Sequence, residues 1–233
     1  LAPSLSKVPP KDVGTPRKAL LYVEHKCNLK CKHCYESEDT HPTTSRLSLE
    51  QYKDIFKQLR EMGVLYLNIT GGEVFLRRDI LDLVAEARRQ RFWVKLLTSG
   101  YHLNEARAKR IKELKLGQVE ISLYSPKEEV HDAFTQIPGS YKRTTNGIKL
   151  LVAQGVRTVV KTNIMTFNVD DLEDLKGWTE SVGAEFMMST AVEPRMNGDD
   201  SPTQFVVSPE EIAEKVIANS YLTPDQIGEH LYE

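Results

Sequence analysis

Cysteine is scarce in this chain and confined to one place. Its 233 residues include three cysteines, Cys27, Cys31 and Cys34, and none follows Cys34. An odd, tightly grouped set cannot staple a domain of this size, which excludes a disulfide-held fold. Long apolar runs are missing too: no stretch approaches the ~20 residues that cross a bilayer, so no membrane partner is expected. Charge of one sign is also absent. The 31 Lys and Arg nearly balance the 33 Asp and Glu, leaving a formal net charge of -2. Without a basic excess, no nucleic-acid partner is expected. The first residues lack the charged start and apolar core of a signal peptide, so the expected location is cytoplasmic. Leu1 in place of an initiator Met is compatible with a trimmed chain.

The chain is 40% hydrophobic, enough to bury one sizeable core. Residues 1–17 hold Pro3, Pro9, Pro10 and Pro16 and read as an extended lead-in. From residue 18 to 208, short apolar runs alternate with amphipathic stretches. Strands are expected at 19–23, 64–69, 92–97, 118–123, 156–161 and 184–188. Helices are expected at 48–62, from Asp79 through Ala87, from Asn104 through Leu114, at 141–154 and at 169–182. A further helix is expected from Pro209 through Ile217. Residues 124–140 and 193–202 read as polar loops. The pattern specifies an α/β fold with parallel strands; six are too few for the closed eight-strand form, which leaves a partial (βα)6 TIM-like barrel, open, as the expectation and a doubly wound sheet as the alternative. Ligands of such folds bind at the C-terminal ends of the strands.

The cysteines follow the first expected strand in the segment Glu24-His25-Lys26-Cys27-Asn28-Leu29-Lys30-Cys31-Lys32-His33-Cys34-Tyr35. Thiolates are soft ligands that suit iron–sulfur clusters or zinc. Three can hold three irons of a cubane and leave the fourth iron open to a small molecule. A zinc site would need a fourth ligand, which His25 or His33 could supply. Polar segments also end later strands: Thr70-Gly71-Gly72-Glu73, Thr98-Ser99-Gly100, Ser122, and Lys161-Thr162-Asn163. Paired glycines allow unusual backbone angles and the close approach of a ligand.

The C-x3-C-x2-C loop resembles the CxxxCxφC motif of the radical S-adenosylmethionine superfamily, with His33 at the aromatic-type position. The resemblance implies a [4Fe–4S] cluster on Cys27, Cys31 and Cys34. Its open iron would chelate the amino and carboxylate groups of S-adenosylmethionine. One electron would then cleave the sulfonium, and the resulting 5′-deoxyadenosyl radical would abstract hydrogen from substrate. It further implies that Gly71, Gly72 and Glu73 hold the methionine amino group. Thr98 and Ser99 would lie near the methionine carboxylate or ribose. Ser122 would contact the cofactor, Asn163 would contact its ribose, and His33 would pack as a planar ring beside it. Tyr124 departs from the Asp common in similar enzymes, and no catalytic acid or base is assigned.

His131-Asp132 and Pro138-Gly139-Ser140-Tyr141 resemble the HD…GS(F/Y) stretch of relatives that carry a SPASM-type C-terminal domain. Those relatives imply a ribosomally made peptide or protein as substrate, a crosslink or similar modification as product, and a flavodoxin- or ferredoxin-like electron donor. A SPASM domain brings further cysteines, and none is present here. The segment 209–233 is therefore expected to be helical and to lead toward a missing or truncated auxiliary domain. The alternatives are radical modification of a haem precursor or other small metabolite, and a zinc-stabilised non-enzymatic binding module.

Overall fold

Each strand is an apolar run that finishes in polar residues, and each pairs in parallel with the next. A computed structural model describes residues 14–36 and 47–217. Its strands are β1 (Lys18–Glu24), β2 (Tyr66–Gly71), β3 (Trp93–Thr98), β4 (Gln118–Ser122), β5 (Thr158–Asn163) and β6 (Glu185–Ser189). They form one sheet in the order β1-β2-β3-β4-β5-β6, every pair parallel. Crossovers between parallel strands are right-handed, so sequential order sends every connecting helix to the same face. That makes the sheet a partial, open barrel and excludes a doubly wound arrangement. Residues 1–13 of the expected lead-in, and 218–233 of the expected C-terminal segment, lie outside the described residues. Among the described residues, no helix is long and apolar enough to cross a membrane.

The helices are α1 (Leu49–Glu61), α2 (Ile80–Arg89), α3 (Glu105–Glu113), α4 (Glu128–Thr135), α5 (Ser140–Ala153), α6 (Leu172–Ser181) and α7 (Pro209–Ile212), the last continuing as a π turn over Ala213–Ile217. Ser48 opens α1 through a reciprocal capping box with Gln51, and the Asn104 side chain caps α3 by accepting from Arg107 N. Asp79 precedes α2 without capping it. Its carboxylate is taken by Arg77, with Nε and Oδ1 2.8 Å apart.

The expected loop at 124–140 is corrected by α4. That helix gives little signal in sequence: its N-cap is Lys127, with no side-chain cap, and Gln136 ends it in a left-handed conformation. It buries His131, Phe134 and Thr135, only one of them strongly apolar. Strands β2, β3 and β5 also start later than the apolar runs suggest. Val64, Phe92 and Val156 are buried, but they pack ahead of the ladder. Thr70, Thr98 and Asn163, read as polar strand ends, lie within β2, β3 and β5.

Leu67, Ile69, Val94, Leu96, Val119, Ile121 and Val160 point to the helix-covered face, where they pack with Phe56, Leu83, Ile111, Ile148 and Leu151. Alternating residues reach the opposite face. There Glu120 is 5% exposed and sits between Lys95, 2.9 Å away, and Lys161, 3.7 Å away.

Phe56 is fully buried, with its ring centroid 5.8 Å from that of Phe92. Phe56→Ala is expected to cost about 3–5 kcal/mol of stability, read from urea unfolding. A loss below ~1 kcal/mol would mean that the α1–sheet contact is not the centre of the core.

Candidate active site

The cysteine loop is fixed mainly by backbone. Gly72 N donates to Glu24 O at 2.7 Å and Glu73 N donates to Lys26 O at 2.9 Å, which docks the end of β2 onto the exit of β1. A side chain has no room in this contact. A Cβ on Gly71 would meet Glu24 O at 2.1 Å, and one on Gly72 would meet His25 O at 2.6 Å. From the other side, Lys30 N donates to Thr135 O at 2.9 Å and Lys32 N to Phe134 O at 3.2 Å. The free carbonyls at the C-terminus of α4 thus receive the loop. After β6, Met196 N donates to Tyr35 O at 2.8 Å.

Cys27 is exposed, while Cys31 and Cys34 are partly buried, and none is in a disulfide. Burial, then the neighbouring Cys27 and Cys34, push the Cys31 thiol up to about 12. Burial also raises Cys34. Buried thiols such as Cys31 and Cys34 resist ionising unless a cationic group sits beside them. That chemistry fits a thiolate-ligated iron–sulfur cluster. Among the described residues, no three His, Cys, Asp or Glu side chains converge on a single-ion site of the kind the zinc alternative needs.

Glu73 is fully buried. Its carboxylate accepts from Phe75 N at 3.0 Å, Thr98 Oγ1 at 2.7 Å and Ser99 N at 2.9 Å, and also from the Ser99 hydroxyl. Glu73, Thr98 and Ser99 therefore form one polar unit that joins the ends of β2 and β3. Ser122 ends β4, and its hydroxyl interacts with Tyr124. Asn163 ends β5 and donates from Nδ2 to Ala191 O at 2.6 Å. The predicted site residues thus lie along the C-terminal edge of the sheet.

His33 lies between rings, with centroids 5.0 Å from Tyr124 and 5.1 Å from Phe134. Burial drives its pKa down to about 4, so the imidazole is neutral at pH 7. Cys31 packs against the apolar group of Tyr124, Phe134 and Met165. The His131-Asp132 stretch is explained by structure. His131 stacks on Tyr124 and accepts from Tyr124 N at 3.3 Å. Asp132 takes Gly139 N at 2.6 Å, Ser140 Oγ at 2.8 Å and Tyr141 N at 2.8 Å, which caps α5. Burial raises its carboxyl, but these donors outweigh it and hold the pKa below the usual value.

Sequence reading missed Asn168, which is 1% exposed. It accepts from Met165 N at 2.8 Å and donates to Tyr124 O at 2.9 Å and Asn163 O at 3.0 Å, tying the ends of β4 and β5 together. A lone Asn before Val169 gives no sequence signal. Arg195 pairs with Asp199 at 3.0 Å, and its charge is felt at Cys34.

A parallel sheet with a three-cysteine loop after its first strand and a buried carboxylate following paired glycines after its second defines an enzyme class, and the family comparison agrees. The profile of the Radical SAM superfamily matches residues 22–182, and the chain belongs to that family. Its cofactors are a [4Fe–4S] cluster and S-adenosylmethionine. The antilisterial bacteriocin subtilosin biosynthesis protein AlbA of Bacillus subtilis strain 168 is 34% identical over 174 residues, covering 73% of this chain and 38% of AlbA. The AdoMet-dependent heme synthase of Oleidesulfovibrio alaskensis is 29% identical, covering 70% of this chain and 42% of that protein. The chain thus spans about two fifths of these relatives' length. The crystal structure of Streptococcus suis SuiB superposes with a TM-score of 0.72 at 15% identity, covering 92% of this chain and 47% of SuiB. SuiB bound to its precursor peptide SuiA gives a TM-score of 0.67 at 16% identity, over 75% of this chain and 39% of that one. These structures share the fold.

Two outcomes are expected. After anaerobic reconstitution, Gly72→Ala should retain far less iron than Gly177→Ala, where an added Cβ meets nothing within 4 Å; equal iron would show that the β2–loop contact does not hold the site. Asp132→Asn should lose ~1 kcal/mol at neutral pH. Because the folded-state pKa of Asp132 is depressed, its contribution is present above the unfolded value of about 3.9 and is lost as pH falls through the folded one. The wild-type advantage, read from urea midpoints, should therefore vanish in acid.

Proposed function

We propose that this chain is the radical domain, over about residues 18–208, of a cytoplasmic enzyme that modifies a ribosomally made peptide or protein by installing a crosslink or similar change. The observation that carries the site reading is the docking of the cysteine loop onto the Gly71-Gly72-Glu73 backbone. Cys27, Cys31 and Cys34 would ligate the cluster. When bound, that cluster and S-adenosylmethionine supply a primary carbon radical that abstracts hydrogen.

The rest falls to this chain's own residues. The Gly71 and Gly72 backbone leaves room for the methionine end of the cofactor, and Glu73 offers that end negative charge. Thr98 and Ser99 orient Glu73 from β3. Ser122 contacts the cofactor from the end of β4, and Asn163 contacts its ribose from the end of β5. His33 and Phe134 exclude water beside Cys31, which strengthens every polar contact nearby. Hydrogen abstraction itself requires no acid–base pair, and none is assigned among these residues.

The peptide substrate class is supported by the likeness to AlbA, named for subtilosin biosynthesis, and to SuiB, solved with a precursor peptide. A flavodoxin- or ferredoxin-like protein would supply the electron. The heme synthase relative favours a second reading, a haem precursor as substrate.

Reconstituted protein incubated anaerobically with reductant and S-adenosylmethionine is expected to release 5′-deoxyadenosine, and Cys31→Ala is expected to release none. Equal release by both would overturn the cluster assignment. Mass spectrometry of candidate precursor peptides is expected to show loss of two hydrogens per crosslink. A modified tetrapyrrole with unchanged peptides would favour the second reading.

A further inference from the structure

The sheet face turned away from the helices holds more positive charge than its own pairing requires. Glu120 is buried, and Lys95 Nζ donates to its Oε2 at 2.9 Å. That pair is already neutral and hydrogen-bonded. Lys161 brings a second ammonium to within 3.7 Å of Glu120 Oε1, beyond hydrogen-bond reach. Among the described residues, Lys161 Nζ has no hydrogen-bond partner. The next carboxylate on this face, Glu185, is taken at both oxygens by Arg157, each at 2.8 Å. Two ammonium groups therefore meet one carboxylate, an arrangement that stability alone does not favour. The Lys161 side chain is 35% exposed, so a ligand can reach it.

Its place matters as much as its charge. Val160 packs into the core under the helices, so Lys161 and Asn163 both project from the opposite face. Ser122 is the register partner of Lys161 on β4, and Met187 is its partner on β6. Lys161 thus stands beside Ser122 and roughly 7 Å along the strand from Asn163. Those two are the residues read as cofactor contacts. We propose that Lys161 binds a carboxylate of the substrate. Glu120 and Lys95 are positioning residues: Glu120 aims the ammonium, and Lys95 neutralises Glu120 so that the charge of Lys161 stays available. This rests on the reading that a radical forms at this edge and meets its substrate there. A carboxylate on an ammonium is a charge-assisted hydrogen bond, strengthened where water is partly excluded. An acidic side chain of a peptide, its C-terminus, or a haem precursor presents that same group.

The test uses reconstituted protein with S-adenosylmethionine under anaerobic conditions. The probes are a short amide-capped peptide with one Glu, its Gln counterpart, the Gln peptide with a free C-terminal carboxylate, and a tetracarboxylate porphyrin with its methyl ester. Peptides carry an uncharged dye, and affinity is read from fluorescence anisotropy. At least one carboxylate probe is expected to bind wild type about tenfold tighter than its neutral counterpart, and that probe identifies the source of the carboxylate. Lys161→Met should abolish the preference and Lys161→Arg should keep it. Lys149→Met, at an exposed position on α5, should leave it unchanged. The bound probe should also slow acetylation of Lys161 in wild type, read by peptide mapping, which needs no variant to fold. Equal binding within every pair overturns the proposal, as does a preference that survives Lys161→Met or falls equally in Lys149→Met. Acetylation of Lys161 that ignores the probe overturns it too. If wild type releases 5′-deoxyadenosine while any of these holds, the radical reading stands and only the carboxylate site falls. No release from wild type removes the reading beneath it.

Discussion

The close approach of two backbones governs this molecule: the end of β2 lies against the exit of β1 with no side chain between them. Gly72 N reaches Glu24 O at 2.7 Å, and a Cβ at either glycine would overlap a carbonyl of the cysteine loop. Because the contact is main chain to main chain, it positions the loop without depending on any rotamer. Glu73 follows directly and is turned onto β3 by Thr98 and Ser99. Three consecutive strands therefore share one polar seam at their C-terminal ends, and the loop carrying Cys27, Cys31 and Cys34 is fastened to it.

The opposite flank of that loop is held by different chemistry. The last carbonyls of α4 accept Lys30 N and Lys32 N, while rings from α4 and the end of β4 pack around His33 and Cys31. Asp132 then fixes α4 to α5 through three donors. The stretch from His131 to Tyr141 thus forms a bracket under the cysteine loop. The part of this stretch that resembles radical enzymes carrying a SPASM-type domain thus has a structural role of its own, in holding the cysteine loop.

Much of this could be read in the chain beforehand, for physical reasons. Six apolar runs separated by amphipathic stretches imply βα units, and cysteine spacing is a strong signal because soft ligands have few other uses in such a group. The glycine pair was visible as a turn or a point of close approach, and its place one βα unit after the cysteine loop favoured the second. What stayed hidden was tertiary. Residue α4 boundaries carry no cap signal, and Asn168 looks like any loop Asn until its amide is seen to join Tyr124 and Asn163. Asp79 sits at a cap position but is claimed by Arg77, a competition that no local pattern reveals. Polar strand ends such as Thr98 and Asn163 lie beyond the apolar runs that mark a strand, so the runs alone place the strand ends short of where the ladder stops.

The sheet face turned away from the helices has an unusual lining. Glu120 lies nearly enclosed between the ammonium groups of Lys95 and Lys161. An eight-strand barrel fills its interior with layers of branched apolar side chains. A floor of paired charges resists that outcome, because collapsing the walls onto it would strip the remaining water from ions already costly to desolvate. That face can therefore stay wet where a closed barrel would be packed dry.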